Sequence, residues 1–413
     1  MAADAPITVA TVTTRLGLPG ISLATAELAC DKLTMKRRFS ERGVPVPWFA
    51  EICTVQELQR VAIERGRNLV IKPVDSRGSR GVQRIAQIQD LAKAYALARS
   101  HSPTERVMVE EYLDGPQVST ESIVMEGRCY TPGFSDRNYE YLDTFAPFFI
   151  ENGGDLPSHL PPDIQTKVRD VVSKAAEALG VTDGTVKGDI VVHNGEPYVI
   201  ELAARLSGGF FCTREIPLNT GVDFIGCAIK VALGESVSPE ELKPKTSAAV
   251  IQRYAFPKPG RVVSVSGAEE AMKITGITDV IITAKPGDVI PPAVTNVPPP
   301  RWCWRREPPA KLPWRRLTMR WPVYRLASHE RAAAFSRHGS SHSYVAPIYI
   351  VPSQPCVLVD RRGTEGRGYR ALLLALATPG GSSRAYRDRS DGVHTGGNIQ
   401  ARPSMDRETA HTD

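Results

Sequence analysis

The first place in this 413-residue sequence where residue types imply chemistry is NLVIKPVDSRGSRGV, residues 68–82. Lys72 closes an apolar strand, and Arg77, Gly78, Ser79, Arg80 and Gly81 form the loop that follows. A lysine point charge, joined by main-chain N–H groups that glycines bring close to a ligand, can hold phosphate. This is not the P-loop order, in which the lysine follows the glycines and opens a helix. Asp189 and Glu201 carry complementary chemistry. They stand twelve residues apart on the two arms of a predicted hairpin turned at Asn194-Gly195, so inward counting sets them opposite or nearly so. Two converging carboxylates suit magnesium, which keeps waters and takes one or two carboxylates together with substrate phosphates. Arg205, just before Leu-Ser-Gly-Gly, is placed to stabilise an anion developing beside such a metal. Taken singly, a strand-end lysine and two acids on a sheet face are equally at home in solvent.

The elements that must position these residues alternate between helices and hairpins. Apolar spacing predicts helices over 27–43, 55–66, 88–100, 161–180 and 221–235. Strands are predicted at NLVIKP, VQRIA and RVMVEEYL. Two hairpins follow, one turned at Glu126-Gly127 and one at Asn194-Gly195, and residues 248–290 read as short strands with Gly/Pro turns. The fold class is α+β, with antiparallel hairpins between helices and none of the repetition of a dinucleotide-binding sheet.

In order and spacing, five segments resemble the ATP-grasp superfamily of carboxylate-amine ligases, within its biotin carboxylase and carbamoyl phosphate synthetase branch. They are ACDKLTMKRRFSERGVPVP, VIKPVDSRGSRGV, VMVEEYLDGPQVSTES, GDIVVHNGEPYVIELAAR and PKPGRVVSVSGAEEA, and the likeness covers about residues 5–290. The resemblance implies two α+β lobes gripping ATP. Its boundaries would be a remnant of a preceding domain at 1–30, the ATP-grasp domain at 31–235 with its small lobe at about 45–112, and a closing part at 236–298. It implies that Lys32 and Lys72 reach the ATP phosphates and that Arg77, Gly78, Ser79 and Gly81 belong to a flap closing over them. Glu110, Glu111, Tyr112 and Leu113 would form the hinge along the adenine edge. Gln117 would meet the ribose where many relatives have glutamate. Asp189 and Glu201 would hold Mg2+ or Mn2+, and Arg205 would act with Lys72 in catalysis. The implied reaction activates a carboxylate as an acylphosphate for attack by an amine or other nucleophile. A bicarbonate-activating enzyme and an ATP-binding remnant without turnover are the alternatives. For the acceptor side, Arg137, Tyr139 and Glu151 in GFSDRNYEYLDTFAPFFIENGGDLPS are candidates, with an ordinary polar loop as the plain alternative.

The sequence departs from that pattern in three places. Ala203 stands where biotin carboxylase-type enzymes carry an asparagine metal ligand, and no Met-Lys-Met biotin-carrier motif is present, which favours a stand-alone ligase. DAPITVATVTTRLGLPGIS resembles only the last strand-helix step of a preceding domain. From about residue 299 the composition changes abruptly. Residues 301–413 carry 19 Lys+Arg against 9 Asp+Glu, while residues 1–300 carry 32 against 36, and four of the five tryptophans lie in that tail. Tryptophan has one codon, so PRWCWRREPPAKLPWRR is partly fixed at the DNA level. With G/C-ending synonyms where possible, and read two bases later, it yields Ala-Leu-Val-Leu-Ala-Thr-Gly-Ala-Ala, a strand, a turn and the start of a helix. A frame-shifted tail of low order at 299–413 is therefore expected.

The formal charge of +6 thus belongs to the tail and does not mark the rest of the chain as a nucleic-acid binder. Stacking of Trp302, Trp304, Trp314 and Trp321 on bases is the rival use of that tail, and His338 and His342 are read as accidental rather than as a metal site. Seven scattered cysteines without a CxxC argue against a disulfide framework or a zinc knuckle. With no apolar run of membrane-spanning length and no signal-like start, the expected location is the cytoplasm. The expected partners are small-molecule carboxylates and amines, with no nucleic acid, no membrane and a possible homodimer.

Overall fold

A computed structural model describes residues 5–296 and the backbone of 301–307. The chain begins with α1 (Pro6–Leu16), α2 (Leu23–Cys30) and α3 (Lys32–Glu41). The stretch read as a strand-helix step starts directly as a helix. Pro6 occupies the first turn, where a missing N–H costs nothing, and Gly17 ends the helix in the left-handed region at φ 63°. The single helix expected over 27–43 breaks at Asp31. There the backbone is extended, and the Asp31 carboxylate accepts the Thr34 N–H at 2.8 Å, so a new helix opens at Lys32. The Lys32 N–H donates to Val74 O at 3.0 Å, which ties α3 to the chain just beyond Lys72.

Four antiparallel strands make the small lobe: β1 (Phe49–Ile52), β2 (Leu69–Pro73), β3 (Gln83–Arg84) and β4 (Val107–Glu111), in the order β1-β4-β2-β3. Thr54 caps α4 (Val55–Glu64) and Asp90 caps α5 (Leu91–Ser100). Leu58 and Ala62 of α4 and Ala94 and Ala98 of α5 pack with Leu69, Ile71, Val107 and Val109 in one dry core. Each fully buried Leu or Ile there contributes roughly 1.5–3 kcal/mol.

The large lobe is an eight-stranded sheet, to which β5 (Gln117–Met125), β6 (Arg128–Arg137), β7 (Gly153–Leu156), β8 (Gly184–His193), β9 (Glu196–Ala203) and β10 (Ala249–Tyr254) contribute. A short ribbon pairs β11 (Gly260–Arg261) with β13 (Val289–Ile290), whereas β12 (Ile277–Ile282) and β14 (Arg301–Glu307) extend the large sheet. Its order is β12-β14-β10-β7-β6-β5-β8-β9, and every described strand pair is antiparallel. Residues 301–307, which the sequence assigns to the tail, thus run between β10 and β12. The rest of the tail lies outside the described residues, and with it Trp314, Trp321, His338, His342, the side chains of Trp302 and Trp304, and the low order expected there.

Period-2 alternation on β5 sends Val118 and Val124 into a core with α3 and α6 (Pro162–Ala178). It sends Ile123 into a second core, shared with the turn α7 (Ile216–Thr220) and with α8 (Phe224–Ala232). The short α9 (Ala268–Met272) packs under β12. Both predicted hairpin turns have two successive positive-φ residues, Glu126-Gly127 at 49° and 74° and Asn194-Gly195 at 52° and 79°, the twist that suits a two-residue connection. Among the described residues no helix is long and apolar enough to cross a membrane.

Candidate active site

The two sheets face a cleft of about 660 Å³, a volume suited to a small molecule. From β2, Lys72 lines it while only 5% exposed, and its ammonium pairs with the Glu110 carboxylate of β4. Lys36 of α3 approaches the same carboxylate at 2.9 Å, an ion pair whose alignment falls short of a hydrogen bond. Burial alone would raise the Glu110 pKa, but Lys36 and Lys72 outweigh it and hold the acid below its ordinary range. Burial also lowers the Lys36 pKa, against the pull of Glu110. Two ammonium groups on one carboxylate leave a net positive charge at this end of the cleft. Lys36 is one helical turn beyond Lys32, a spacing that could have drawn attention to it in the sequence.

The hinge differs from expectation at two positions. Glu110 does not face outward as a hinge residue: strand alternation turns its side chain inward, where it is the counter-ion of two lysines. Tyr112 spends both main-chain groups on Asn68, its N–H donating to Asn68 O at 3.0 Å and its carbonyl accepting from Asn68 Nδ2 at 2.9 Å. Its ring instead carries the Arg84 guanidinium, 3.9 Å from the centroid. Glu111 and Leu113 line the cleft beside it, as does Gln117 at the start of β5.

In the loop after Lys72, Gly78 and Ser79 are consecutive left-handed residues at φ 64° and 58°, a geometry that gathers main-chain N–H groups for an anion. Arg77, Gly78, Ser79 and Arg80 line the cleft. Gly81 does not, a correction to its expected role. It packs against the small lobe, where a Cβ would come within 3.1 Å of His101 and Pro73. Lys32 Nζ donates to Ser76 O at 2.6 Å and lies 3.4 Å from Glu201, so it links this loop to the acid pair.

Asp189 and Glu201 are direct cross-strand partners on β8 and β9, with a register shift immediately after them. Such an irregularity re-aims side chains at a site. Asp189 is paired with Lys187, lies 3.0 Å from Arg137 Nη1 and accepts from Ser119 Oγ at 3.2 Å. Burial pushes its pKa up, but Arg137 and Lys187 overcome that and hold it far below the usual carboxylate range. Lys187 was not singled out in the sequence, although it sits two residues before Asp189 and so on the same strand face. No third His, Cys, Asp or Glu joins the two acids in a metal-ligating group among the described residues. A metal here would draw its remaining oxygens from substrate and water. Arg205 lines the same wall, with Nη1 donating to Leu206 O at 3.0 Å.

Next to Asp189, on the acceptor side of the cleft, Arg137, Tyr139 and Glu151 come together, with Arg137 bridging Asp189 and Glu151. Arg137 Nη2 donates to Glu151 at 2.6 Å, and its guanidinium lies 5.3 Å from the Tyr139 ring centroid. Burial raises the Tyr139 hydroxyl pKa strongly. Arg253 of β10 binds both oxygens of Asp155, at 2.6 and 3.3 Å. Between these pairs stands Glu215, 2% exposed, at the end of a π-helical turn spanning Phe211–Glu215. Burial, then Glu151 and Asp155, push its pKa well up. Glu121 of β5 is fully buried and accepts the Ser207 N–H on both oxygens, at 3.1 and 3.3 Å. Burial raises it to about 7. No spacing in the sequence marks Glu215, which an irregular turn brings here, whereas Glu121 shares the strand face of Gln117 and Ser119 and its contact with Ser207 is long-range.

These residues fit a magnesium nucleotide. Lys32, Lys72 and the left-handed loop offer cations and N–H groups to phosphates, and the cross-strand acids Asp189 and Glu201 offer carboxylates to a metal, with Lys187, Arg137 and Lys32 as their counter-ions. Two buried donors at the cleft, Ser207 Oγ and Arg137 Nε, have no hydrogen-bond partner among the described residues, which leaves them for a ligand. Residues 29–209 match the family model of the ATP-grasp domain, and residues 253–297 match that of L-amino acid ligase C-terminal domain 2. A D-alanine--D-alanine ligase from Gloeobacter violaceus is 31% identical over 199 residues, 45% of this chain and 63% of that protein. The chain spans about three-fifths of the length of the curated relatives it matches, 58% and 63% for the first two. Among solved structures, the L-amino acid ligase from Bacillus licheniformis superposes with TM-score 0.62 at 22% identity, covering 73% of this chain and 72% of that one. The biotin carboxylase from Campylobacter jejuni, solved as a β-γ-ATP complex, gives 0.55 at 19% identity, covering 73% and 68%. At these identities the structures establish the fold. Family match and fold agree, and residues 29–209 of this chain are an ATP-grasp domain.

Proposed function

We propose that this chain is an ATP- and magnesium-dependent ligase that joins a carboxylate to an amine through an acylphosphate. One observation carries the reading: Lys32, Lys72, the left-handed loop and the opposed acids Asp189 and Glu201 all line one cleft that also holds Arg205. In that reaction the carboxylate oxygen attacks the terminal phosphorus of ATP and ADP leaves. The amine nitrogen then attacks the acyl carbon, phosphate leaves, and the nitrogen gives up a proton. A metal held by Asp189 and Glu201 would supply charge neutralisation for the transferring phosphoryl group. Lys72, Lys32 and Arg205 hold the negative oxygens in place, and the loop at 77–80 keeps water from the acylphosphate. The match of residues 253–297 to an L-amino acid ligase domain supports amino acids as the substrates to try first.

The test is a thermal-shift titration of the full chain with Mg-ATP, beside Lys72→Ala and Glu201→Ala. A ligand at ~100 times its dissociation constant adds roughly 2.7 kcal/mol to the folded state. Wild type is expected to shift and both variants not to. If wild type does not respond to Mg-ATP, the ligase reading fails.

A further inference from the structure

Among the described residues lining the cleft, Glu215 is the buried acid without an ion pair; the Arg253 guanidinium acts on it only at a distance and is outweighed by burial, Glu151 and Asp155. Glu110 has Lys72 and Lys36, Glu201 has Lys32, and Asp189 has Lys187 and Arg137. Its two acidic neighbours are likewise neutralised, Glu151 by Arg137 and Asp155 by Arg253. Glu215 is 2% exposed, lines the cleft, and receives no side-chain or main-chain hydrogen bond from any described residue. Glu151, Asp155, Arg253 and Glu121 act on it through space, and the Tyr254 hydroxyl lies within reach of its charge, but none of the described side chains donates to it. A buried carboxyl without a donor is costly to maintain unless a ligand supplies one.

We propose that Glu215 receives the ammonium group of an amine-bearing substrate. This rests on the ligase reading for the identity of the reaction but not for the binding event itself. Buried beside two other acids, the free carboxyl keeps its proton. When a cation enters, that proton leaves to solvent and a carboxylate-ammonium pair forms, with no other reactant needed. Discrimination follows from an acid without an ion pair. A hydroxyl or amide of the same shape as the ammonium group can donate a hydrogen bond but leaves the charge unmatched, and a hydrogen bond between charged partners is roughly twice as strong as a neutral one.

The experiment is calorimetric titration of the full chain at about pH 6.5, where an α-amino group is charged, with L-alaninamide and its neutral isostere L-lactamide. Mg-ATP is titrated separately into the same proteins. Wild type is expected to bind L-alaninamide at least about tenfold more tightly than L-lactamide. Glu215→Gln is expected to erase that preference and Glu215→Asp to keep part of it, with Mg-ATP affinity unchanged in both. Equal affinity for the two probes in wild type, no binding of either, or a preference that survives Glu215→Gln overturns the proposal. Weakened Mg-ATP binding in Glu215→Gln also overturns it, because the residue would then serve the nucleotide. If wild type binds L-alaninamide selectively but not Mg-ATP, the ligase reading falls and the ammonium site stands.

Discussion

At one end of the cleft Lys72, Glu110, Asp189 and Glu201 all stand on strands, and the ladder of main-chain hydrogen bonds dictates which way each side chain faces. At the other end Tyr139 and Glu151 stand on loops, Glu215 ends an irregular helical turn, and the fixing contacts are long-range. Arg253 and Asp155, for example, are 98 residues apart in sequence. The first end is a rigid, highly charged frame in which each acid has a cation. The second is a mixture of ion pairs and one acid, Glu215, that makes none. A frame built this way suits the part of a reaction that stays the same, phosphate and metal. Loops suit the part that varies, the acceptor.

The largest effect that would separate the ends is on turnover. Asp189→Asn removes the acid opposite Glu201 and is expected to lower ADP release by about a thousandfold with any acceptor. Glu151→Gln, at the other end, is expected to raise the acceptor KM while leaving Mg-ATP affinity in place. A coupled ADP-release assay across several acceptors reads both. Equal losses in the two variants for all acceptors would erase the distinction between the ends.

Next in size is a stability effect confined to the frame. Lys36 is buried behind Glu110 and does not line the cleft. Lys36→Met leaves Glu110 with one cation in place of two and is expected to cost about 3 kcal/mol or more in urea unfolding. Thr54→Ala, which removes only a helix cap of the small lobe, is the reference at about 1 kcal/mol. Similar losses in the two variants would mean that the lysine pair is no more than a surface-like contact.

The same contrast explains what could be read from sequence. Both hairpin turns, the opposition of Asp189 to Glu201 and the strand end at Lys72 follow from period 2 and from Asn-Gly or Glu-Gly chemistry, which are local. The break at Asp31 was local too, but a strong helical pattern over 27–43 masked it. Gly81 and Glu110 carry over from the resemblance as ligand residues, yet Gly81 packs on His101, and Glu110, though it lines the cleft, gives its carboxylate to Lys72 and Lys36. Glu215 could not be found at all, and the strand face that Glu121 shares with Gln117 and Ser119 does not reveal its role. Their significance lies in the absence or presence of partners far along the chain, which no window of sequence contains.

Glu121 tests the boundary between the ends, since its carboxylate holds the Ser207 N–H while Lys187 and Arg205 lie near it. Its pKa rises from 4.5 to about 7 on burial. For an acid raised in the folded state, the stabilisation is fully present below pH 4.5 and is lost as pH climbs through about 7. The loss amounts to up to about 3 kcal/mol at ~1.4 kcal/mol per unit. Glu121→Gln is expected to flatten the slope of stability between those pH values, measured by urea unfolding across the window. An unchanged slope would place the titration elsewhere.

The smallest effect concerns a second link between the two ends, beside the Arg137 guanidinium that bridges Asp189 and Glu151. The Asn296 N–H donates to Gly78 O at 3.1 Å and its Nδ2 to Ser79 Oγ at 3.0 Å, while its Oδ1 accepts the Glu151 N–H at 3.0 Å. One side chain therefore holds the phosphate-facing loop with one hand and the acceptor loop with the other. Asn296→Ala keeps the main-chain bond and deletes the two side-chain bonds, a change of about 1 kcal/mol. That shifts a local opening equilibrium by about fivefold, which global unfolding would barely register. The sensitive readout is tryptic cleavage after Arg77 and Arg80, expected to quicken by that factor in the variant and to be suppressed by Mg-ATP in both proteins. If the cleavage rate does not change, the loop is held by the frame alone, and Arg137 rather than Asn296 is what couples the two ends.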